Sequence, residues 1–234
     1  IAMERTVVPE NFSFRMTDEE YRVLEKIKNS IPVCYLADHA DFALGIVTGN
    51  NKKFLSAEKT EHSEMVLKGT DICKYHINPA KQYLRFEPEQ FQQVAPLEIY
   101  RAPEKLLYRF ISNQLVVAYD DRQMLSLNSC NIVIPKIEGM QIKYILAILN
   151  SSVSQFVYQK EFHSIKVLRA HMEHIPIPRV GKAIQNEIIA MTEPLICGMG
   201  KEAAETCQKR LDCRIMDLFR LSAEEQWIIR HALH

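Results

Sequence analysis

The chain has 234 residues, of which 47% are hydrophobic and 25% are charged, and these values are typical of a globular protein with a full core. Its 29 lysines and arginines balance 29 aspartates and glutamates. This balance argues against a generic nucleic-acid binder, whose affinity comes largely from cations that displace counterions from phosphates. No apolar run approaches the ~18 residues that a membrane span requires, so we expect no membrane partner.

The N-terminus and the cysteines suggest the setting in which the chain works. Ile1-Ala2-Met3-Glu4 lacks the basic and apolar regions of a signal peptide, and a start without an initiator methionine is expected of a piece of a longer protein. No two cysteines form a CxxC pair, so we expect no structural zinc and instead buried thiols in a reducing, cytoplasmic setting. The six cysteines are Cys34, Cys73, Cys130, Cys197, Cys207 and Cys213.

The N-terminal two thirds of the chain predict one helix followed by strands. The capping box Thr17-Asp18-Glu19-Glu20 predicts a helix over 17–29 that Pro32 stops. The apolar run 42–47 predicts a strand that ends in the turn Thr48-Gly49-Asn50-Asn51. Short segments rich in β-branched or aromatic residues predict antiparallel strands near 83–86, 97–101, 106–111, 114–119 and 130–134.

From Met140 onward the hydrophobic period becomes helical. An apolar stripe predicts a buried helix of some 20 residues, which the polar Asn150-Ser151-Ser152 is expected to bend. Further helices are predicted over 182–208, near 212–219 and from 223, the last after the capping box Ser222-Ala223-Glu224-Glu225. The predicted class is α+β: an irregular antiparallel sheet with a long packed helix over 1–180, and a helical C-terminal appendage over 181–234.

The motifs of several enzyme classes are missing. Asn78-Pro79-Ala80-Lys81 is the nearest sequence to the Asn/Asp-Pro-Pro-Tyr/Phe element that holds a flipped adenine, and it lacks the second proline and the aromatic ring. The chain has no GxGxxG or GxxxxGK[ST] segment for a nucleotide cofactor, and no acidic residue has a lysine two positions on, as a magnesium-dependent nuclease usually requires. We therefore predict no catalytic residue and no bound cofactor in this chain.

Two small polar clusters have ordinary explanations. His171 and His174 flank Glu173, but Pro176 follows at once, so we favour a solvated or structural role over a metal site. Asp120 and Asp121 are adjacent, and adjacent residues of a strand point to opposite faces, so we interpret them as a strand-end turn rather than a catalytic pair.

Several short motifs occur in an order that resembles one family. The segments are Gly45–Phe54, Leu67–Tyr75, Pro103–Arg109, Tyr144–Ser151 and Leu168–Pro178, with a helical tail from Leu211 to Glu225. In this order they resemble the C-terminal specificity domain of Taq-type adenine-N6 DNA methyltransferases and fused type II restriction–modification enzymes. The resemblance implies a target-recognition domain for double-stranded DNA. It also implies a covalently linked methyltransferase domain outside this chain and, in the fused enzymes, a nuclease domain. S-adenosylmethionine would bind in that methyltransferase domain.

Within these motifs we predict the residues that contact DNA. Gly49 lets the backbone approach a phosphate, and neighbouring amides and lysines can donate to phosphates or bases. The predicted DNA-binding residues are Thr48, Gly49, Asn50, Asn51, Lys52, Lys53, Lys68, Gly69, Lys74, Lys166, Arg169 and His171. The alternatives are a surface hairpin without a ligand at 48–53, a turn capped by Asp71 at 68–75 and a solvated charged face at 159–182.

Other features stay open at the level of sequence. Arg109 is expected to pair internally with Asp120 or Asp121 rather than to reach DNA. Residues able to read bases occur in the loops 55–66, 76–95 and 120–130, namely Arg85, Gln92, Arg122, Gln123 and Asn128. Two other functions compete with the leading one: a protein-interaction module, and a specificity half-subunit of a multi-subunit restriction system.

Overall fold

A computed structural model describes residues 16–162 and 164–233 of the chain. The helices in this part are α1 (Asp18–Asn29), α2 (Asn51–Phe54), α3 (Leu97–Tyr100), α4 (Ile142–Asn150), α5 (Ser152–Glu161), α6 (Arg169–Glu173), α7 (Lys182–Cys197), α8 (Lys201–Leu218) and α9 (Ala223–Ala232). The strands are β1 (Val33–Cys34), β2 (Ala40–Ala43), β3 (Leu55–Ser56), β4 (Ser63–Leu67), β5 (Tyr83–Arg85), β6 (Lys105–Arg109), β7 (Val117–Asp120), β8 (Leu125–Ser126), β9 (Cys130–Pro135) and β10 (Ile177–Pro178). The α+β class is confirmed.

The strands form two four-stranded sheets and one small ribbon. The larger sheet is antiparallel with the order β2-β9-β6-β7, and the smaller sheet has the order β3-β5-β4-β8. The smaller sheet is mixed, because β4 and β8 run parallel while the other pairs are antiparallel. Strands β1 and β10 form a separate antiparallel ribbon of two strands. This ribbon places the segment after α1 next to Ile177 and Pro178.

The helices bury one side of the larger sheet. Helix α4 is buried along Tyr144–Asn150 and packs on β6 and β7, and α7 packs on α4 from outside. Together they form one hydrophobic cluster with the sheet side chains Leu106, Val117 and Val133. The smaller sheet and the opposite side chains of β6 and β9, among them Leu107 and Ile132, form a second cluster.

The capping signals in the sequence predicted two helix starts correctly. The Glu20 amide donates to Thr17 Oγ1 over 3.2 Å and the Thr17 amide donates to Glu20 Oε2 over 3.0 Å, so both halves of the first box form. The box at Ser222 and Glu225 opens α9 in the same way. At Asn150-Ser151-Ser152 the predicted bend is a full break between α4 and α5, with Ser151 Oγ accepting from the Ser154 amide at the start of α5.

Two predicted strands are wrong. The run 42–47 is not one strand, because β2 ends at Ala43 and the chain leaves the sheet at Gly45. The segment 97–101 is the short helix α3, in which the Arg101 amide donates to the Leu97 carbonyl. Local β-propensity misled the prediction there, because Tyr100 is buried as part of this helix and not as part of a strand.

The C-terminal helices differ from the predicted boundaries. The helix predicted over 182–208 ends at Cys197, where Gly198 takes a positive φ of 78°, and α8 then continues unbroken through the predicted gap before 212. Side chains of α7, α8 and α9 lie in the same hydrophobic cluster as α4 and the larger sheet. The division into residues 1–180 and 181–234 remains a prediction.

The six cysteines are free thiols. The expectation that they are buried holds for Cys34 and Cys130 but is wrong for Cys197 and Cys213, which are exposed on or beside the C-terminal helices. Within the described residues, no helix is both long enough and apolar enough to cross a membrane.

Candidate nucleic-acid interface

Three motif segments meet at one end of the larger sheet. Here β2 and β6 end while β9 begins, with Ala43 opposite Ile132 and Arg109 opposite Cys130. The connection just before β9 joins the segments, because its Asn128 amide donates to the Ile46 carbonyl over 3.1 Å and its Leu127 amide to the Leu67 carbonyl over 2.8 Å. We call this surface the loop end; it comprises Gly45–Thr48, Leu67–Ile72, Arg109–Ile111 and Leu127–Ser129.

Two glycines allow this close convergence. A Cβ on Gly45 would lie 2.1 Å from the Leu127 carbonyl oxygen, and one on Gly69 would lie 2.5 Å from the Ser129 carbonyl oxygen. Real side chains do not tolerate such distances to backbone atoms, so only glycine fits at either position. Gly69 is buried and its amide donates to Ser129 Oγ over 3.0 Å. This predicted DNA-binding residue therefore shapes the surface from within.

Arg109 holds the second motif segment onto the sheet. Its guanidinium donates to the Gly69 carbonyl over 3.0 Å and to the Ile72 carbonyl. The predicted pairing with Asp120 or Asp121 is wrong, because Asp120 pairs with Lys105 at the other end of β6. The Asp120 carboxylate also accepts from two amides of the following turn, so the interpretation of these acids as a strand-end turn is confirmed.

The segment 48–53 is a turn that leads into α2. Thr48 is buried and its hydroxyl donates to Asn51 Oδ1 over 2.6 Å, while Gly49 has a φ of 74° that favours glycine. Asn50 caps α2 by accepting from the Lys53 amide over 3.2 Å. Asn51, Lys52 and Lys53 are exposed, and Lys53 Nζ donates to Gln90 Oε1 over 2.6 Å. The lysines thus present their charge to solvent beside the loop end.

The two lysines of the second motif make different bonds. The Lys68 amide donates to Asp71 Oδ2 over 3.0 Å, which confirms the turn capped by Asp71. The Lys74 ammonium instead donates to the Asn150 carbonyl over 3.2 Å at the α4–α5 break. Burial lowers the pKa of Lys74, while Asp212 of α8 partly offsets this shift. The Lys74 side chain therefore binds to the helices in the interior of the protein.

The third predicted cluster, Lys166, Arg169 and His171, is also divided between exposed and buried residues. Lys166 is exposed and pairs as an isolated bridge with Ile111, while the adjacent Val167 amide donates to the Phe110 carbonyl over 2.8 Å, so this segment borders the loop end. Arg169 is exposed, lies 5.2 Å from the Phe42 ring centroid and pairs with Glu173 over 2.6 Å.

His171 is enclosed rather than presented to solvent. Its Nδ1 accepts from the Leu168 amide over 3.2 Å, and its ring stacks on Phe162 with centroids 4.4 Å apart. Burial, and then the neighbouring His174, lower the pKa of His171. Within the described ranges no group of three or more His, Cys, Asp or Glu side chains is arranged to hold a metal ion.

The structure also contains a cleft that the sequence did not predict. It has a volume of about 280 Å³ and lies against β4, β5 and the turn that follows β7. Arg101, Arg122 and Gln123 are among the side chains that line it. No linear motif signals the cleft, because its walls come from four separate parts of the chain.

Most strands of the two sheets, and most of the turns that meet at the loop end, lie in the part of the chain that a known family matches. Residues 64–177 match the family model of the TaqI-like C-terminal specificity domain. The match over this part of the chain confirms the resemblance drawn from the motifs. A specificity domain is a recognition module of restriction–modification systems and not a catalytic one. A comparison with curated proteins found no match.

Solved structures of restriction–modification proteins match the chain to different degrees. The type IIL restriction–modification enzyme MmeI, solved in complex with DNA, matches with a TM-score of 0.59 and 10% identity, covering 86% of this chain and 35% of that one. The HsdS subunit from Thermoanaerobacter tengcongensis matches with a TM-score of 0.45 and 14% identity, covering 92% of this chain and 50% of that one. The type IIG restriction endonuclease BpuSI matches with a TM-score of 0.45 and 10% identity, covering 87% and 33%. The chain thus spans half or less of the length of these proteins, and the MmeI match shows a shared fold.

Proposed function

We propose that this chain recognises a specific sequence of double-stranded DNA for an adenine-N6 methyltransferase or a fused type II restriction–modification enzyme. The observation that carries the proposal is the convergence of three motif segments at the loop end, within and beside the matched specificity domain. In this proposal a covalently linked methyltransferase domain binds S-adenosylmethionine and modifies the base. The present chain positions that domain on its target.

Polar side chains at and beside the loop end, all exposed except the half-buried Lys68, are the proposed phosphate contacts. Phosphate contacts set the register and orientation of a protein on the duplex, and lysine, arginine and amide side chains are their usual donors. The proposed contacts are Asn51, Lys52, Lys53, Lys68, Lys166 and Arg169. Thr48, Gly49, Asn50 and Gly69 shape the backbone around them, while Lys74 and His171 support the interior.

A salt titration of DNA binding tests the proposal. Five cations that each neutralise a phosphate predict that log K falls with log salt concentration with a slope of about −4 to −5 on mixed-sequence duplex DNA. The K52A/K53A variant removes two of these cations, so we expect its slope to be shallower by about 2. The matched control is K201A/K209A, which removes two exposed lysines of α8 far along the chain from the loop end.

The outcomes separate the proposal from its competitor. Equal slopes for K52A/K53A and K201A/K209A would place the DNA elsewhere on the molecule. Undetectable binding at low salt would reject DNA recognition and favour a protein-interaction module. The division of labour adds a second expectation: the chain alone transfers no methyl group from S-adenosylmethionine to DNA, and any turnover contradicts it.

A further inference from the structure

The unpredicted cleft is built around a turn that is fixed at its base. The Asp120 carboxylate accepts from the Arg122 amide over 2.8 Å and from the Met124 amide over 2.9 Å. The same carboxylate pairs with Lys105 Nζ over 2.5 Å, and both side chains are fully buried. A buried, paired carboxylate has no solvent alternative to these bonds, so the backbone of 121–124 is held in one geometry.

A second clamp holds the tip of the turn against the smaller sheet. One amino group of the Arg101 guanidinium donates to the Gln123 carbonyl over 2.7 Å, and the other donates to both oxygens of Glu64 on β4 over 2.6 and 2.7 Å. Gln123 has a φ of 56°, a left-handed conformation that is uncommon for a residue with a side chain. Strained backbone of this kind persists where the surrounding structure fixes it, and such positions cluster at binding sites.

Hydrogen bonds hold the backbone of the turn, whereas its side chains at 122 and 123 remain available to a ligand. In the described part of the chain, the Arg122 guanidinium and the Gln123 amide have no hydrogen-bond or ion-pair partner, although both are exposed and line the cleft. Arg85 on the adjacent strand β5 is instead engaged by Glu87. The donor groups of Arg122 and Gln123 thus project from a backbone that is already fixed. Binding sites use such an arrangement because less conformational entropy is lost when the ligand binds.

The chemistry of these two side chains suits base edges. Arginine makes bidentate hydrogen bonds to O6 and N7 of guanine, and glutamine makes them to N6 and N7 of adenine. Strands β4 and β8 both run from the cleft toward the loop end, and Ser63 and Leu67 at the two ends of β4 are on the order of 13 Å apart at 3.3 Å per residue. That length is about four base pairs, so one duplex can reach both surfaces.

We propose that the cleft is a sequence-reading subsite in which Arg122 and Gln123 read base edges of the target, with Asp120, Lys105 and Arg101 as positioning residues. This inference rests on the proposed function, since it assigns part of the specificity to a site outside the predicted phosphate contacts. It also separates two roles: the loop end holds the backbone of the DNA, and the cleft reads its sequence.

Selection of bound sequences from a randomised duplex library tests the subsite. We expect R122A to lose preference at one base pair by roughly 5- to 150-fold, as for loss of a bidentate contact. R122K keeps the positive charge but not the planar guanidinium that makes two hydrogen bonds to one base, so it should also lose most of that preference. Q123G should lose preference at a neighbouring base pair, and glycine tolerates the positive φ of this position, so the fold is retained. The charge-matched control R22A, on the exposed side of α1, should keep the wild-type preference.

The possible results distinguish this inference from the function on which it rests. If the wild type selects a defined sequence and R122A, R122K and Q123G select the same one, the subsite is rejected while DNA recognition stands. A wild type that binds DNA without any preference rejects the subsite and sequence recognition together. A wild type that does not bind DNA rejects the proposed function itself.

Discussion

At the level of single residues, Lys105 and Asp120 form a fully buried ion pair. Burial lowers the pKa of Lys105, and the hydrogen bond and charge of Asp120 counteract that shift. Lys105 Nζ also donates to the Tyr100 carbonyl over 2.6 Å, so this one ammonium links α3, β6 and the turn after β7. Removing one member of a buried pair leaves the other charge uncompensated in a low-dielectric interior.

We therefore expect K105M to lower the free energy of unfolding by about 3–5 kcal/mol, measured by urea denaturation. The control is K136M, since Lys136 pairs with Asp41 over the same 2.5 Å but with side chains that are 59% and 40% exposed. An exposed pair contributes about 1 kcal/mol or less, because water and salt screen it. Equal losses for the two variants would contradict the stabilising role of the buried pair.

The choice between Lys105 and Arg109 as the partner of Asp120 depended on strand register. The sequence predicted an internal role for Arg109, and Arg109 does bind internally, but to backbone carbonyls. The register of β6 against β7 sets Lys105 directly opposite Asp120, whereas Arg109 lies at the other end of β6, opposite Cys130 of β9. Register is a property of paired strands, so residue types alone did not reveal which cation meets the carboxylate.

At the level of elements, Gly45 decides where β2 ends. The apolar residues 42–47 favour one longer strand, yet the Gly45 amide donates to Asn131 Oδ1 over 3.2 Å and the chain then turns toward the smaller sheet. This turn is what carries Thr48 and the lysines after it away from the larger sheet. A strand prediction from alternation and β-propensity misses it, because the close approach of Leu127 is a long-range contact.

We expect G45A to lower the free energy of unfolding by about 2–3 kcal/mol, since its Cβ would meet a backbone carbonyl that cannot move as a side chain does. The control G181A places a Cβ in open space at a φ of −67°, so its effect should stay within about 1 kcal/mol. Thermal unfolding of both variants measures the difference. A G45A protein as stable as G181A would show that the backbone at the loop end adjusts freely.

Two glycines in the sequence mark the break between α7 and α8, but the prediction from helical hydrophobic period overlooked them. Gly198 and Gly200 flank a single methionine, and α7 ends where Gly198 takes a positive φ that favours glycine. The predicted helix 182–208 ran through them because apolar residues continue on both sides. By contrast, the capping boxes at Thr17 and Ser222 were reliable, since each is a complete local hydrogen-bond pattern.

On the scale of the whole molecule, the C-terminal helices and the larger sheet share one core. Ile188 of α7, Leu211 of α8 and Ile229 of α9 lie in the same cluster as Tyr144 of α4. Polar bonds add to this contact, since Asp212 of α8 accepts from the Ser152 amide over 2.8 Å and from its hydroxyl over 2.7 Å. Elements that share a core are expected to unfold together.

The single tryptophan, Trp227 on α9, provides a local probe of that expectation. We expect the urea transition followed by tryptophan fluorescence to coincide with the transition followed by far-UV circular dichroism, which reports on all helices and strands. Two separate midpoints would instead show that residues 181–234 form an independently folding appendage, as the predicted division of the chain requires.

The sequence by itself determined the local signals and the family: the capped helices, the strands β5, β6 and β9, the α+β class and the ordered motifs that identify a specificity domain. These follow from patterns that span a few residues, which are legible without knowing the fold. Only the tertiary structure decided which predicted contact residues remain accessible, because the Lys74 ammonium meets Asn150 and the Gly69 amide meets Ser129 across long stretches of chain. It also created the cleft beside Arg122, since a site made by four distant segments exists only once the chain has folded.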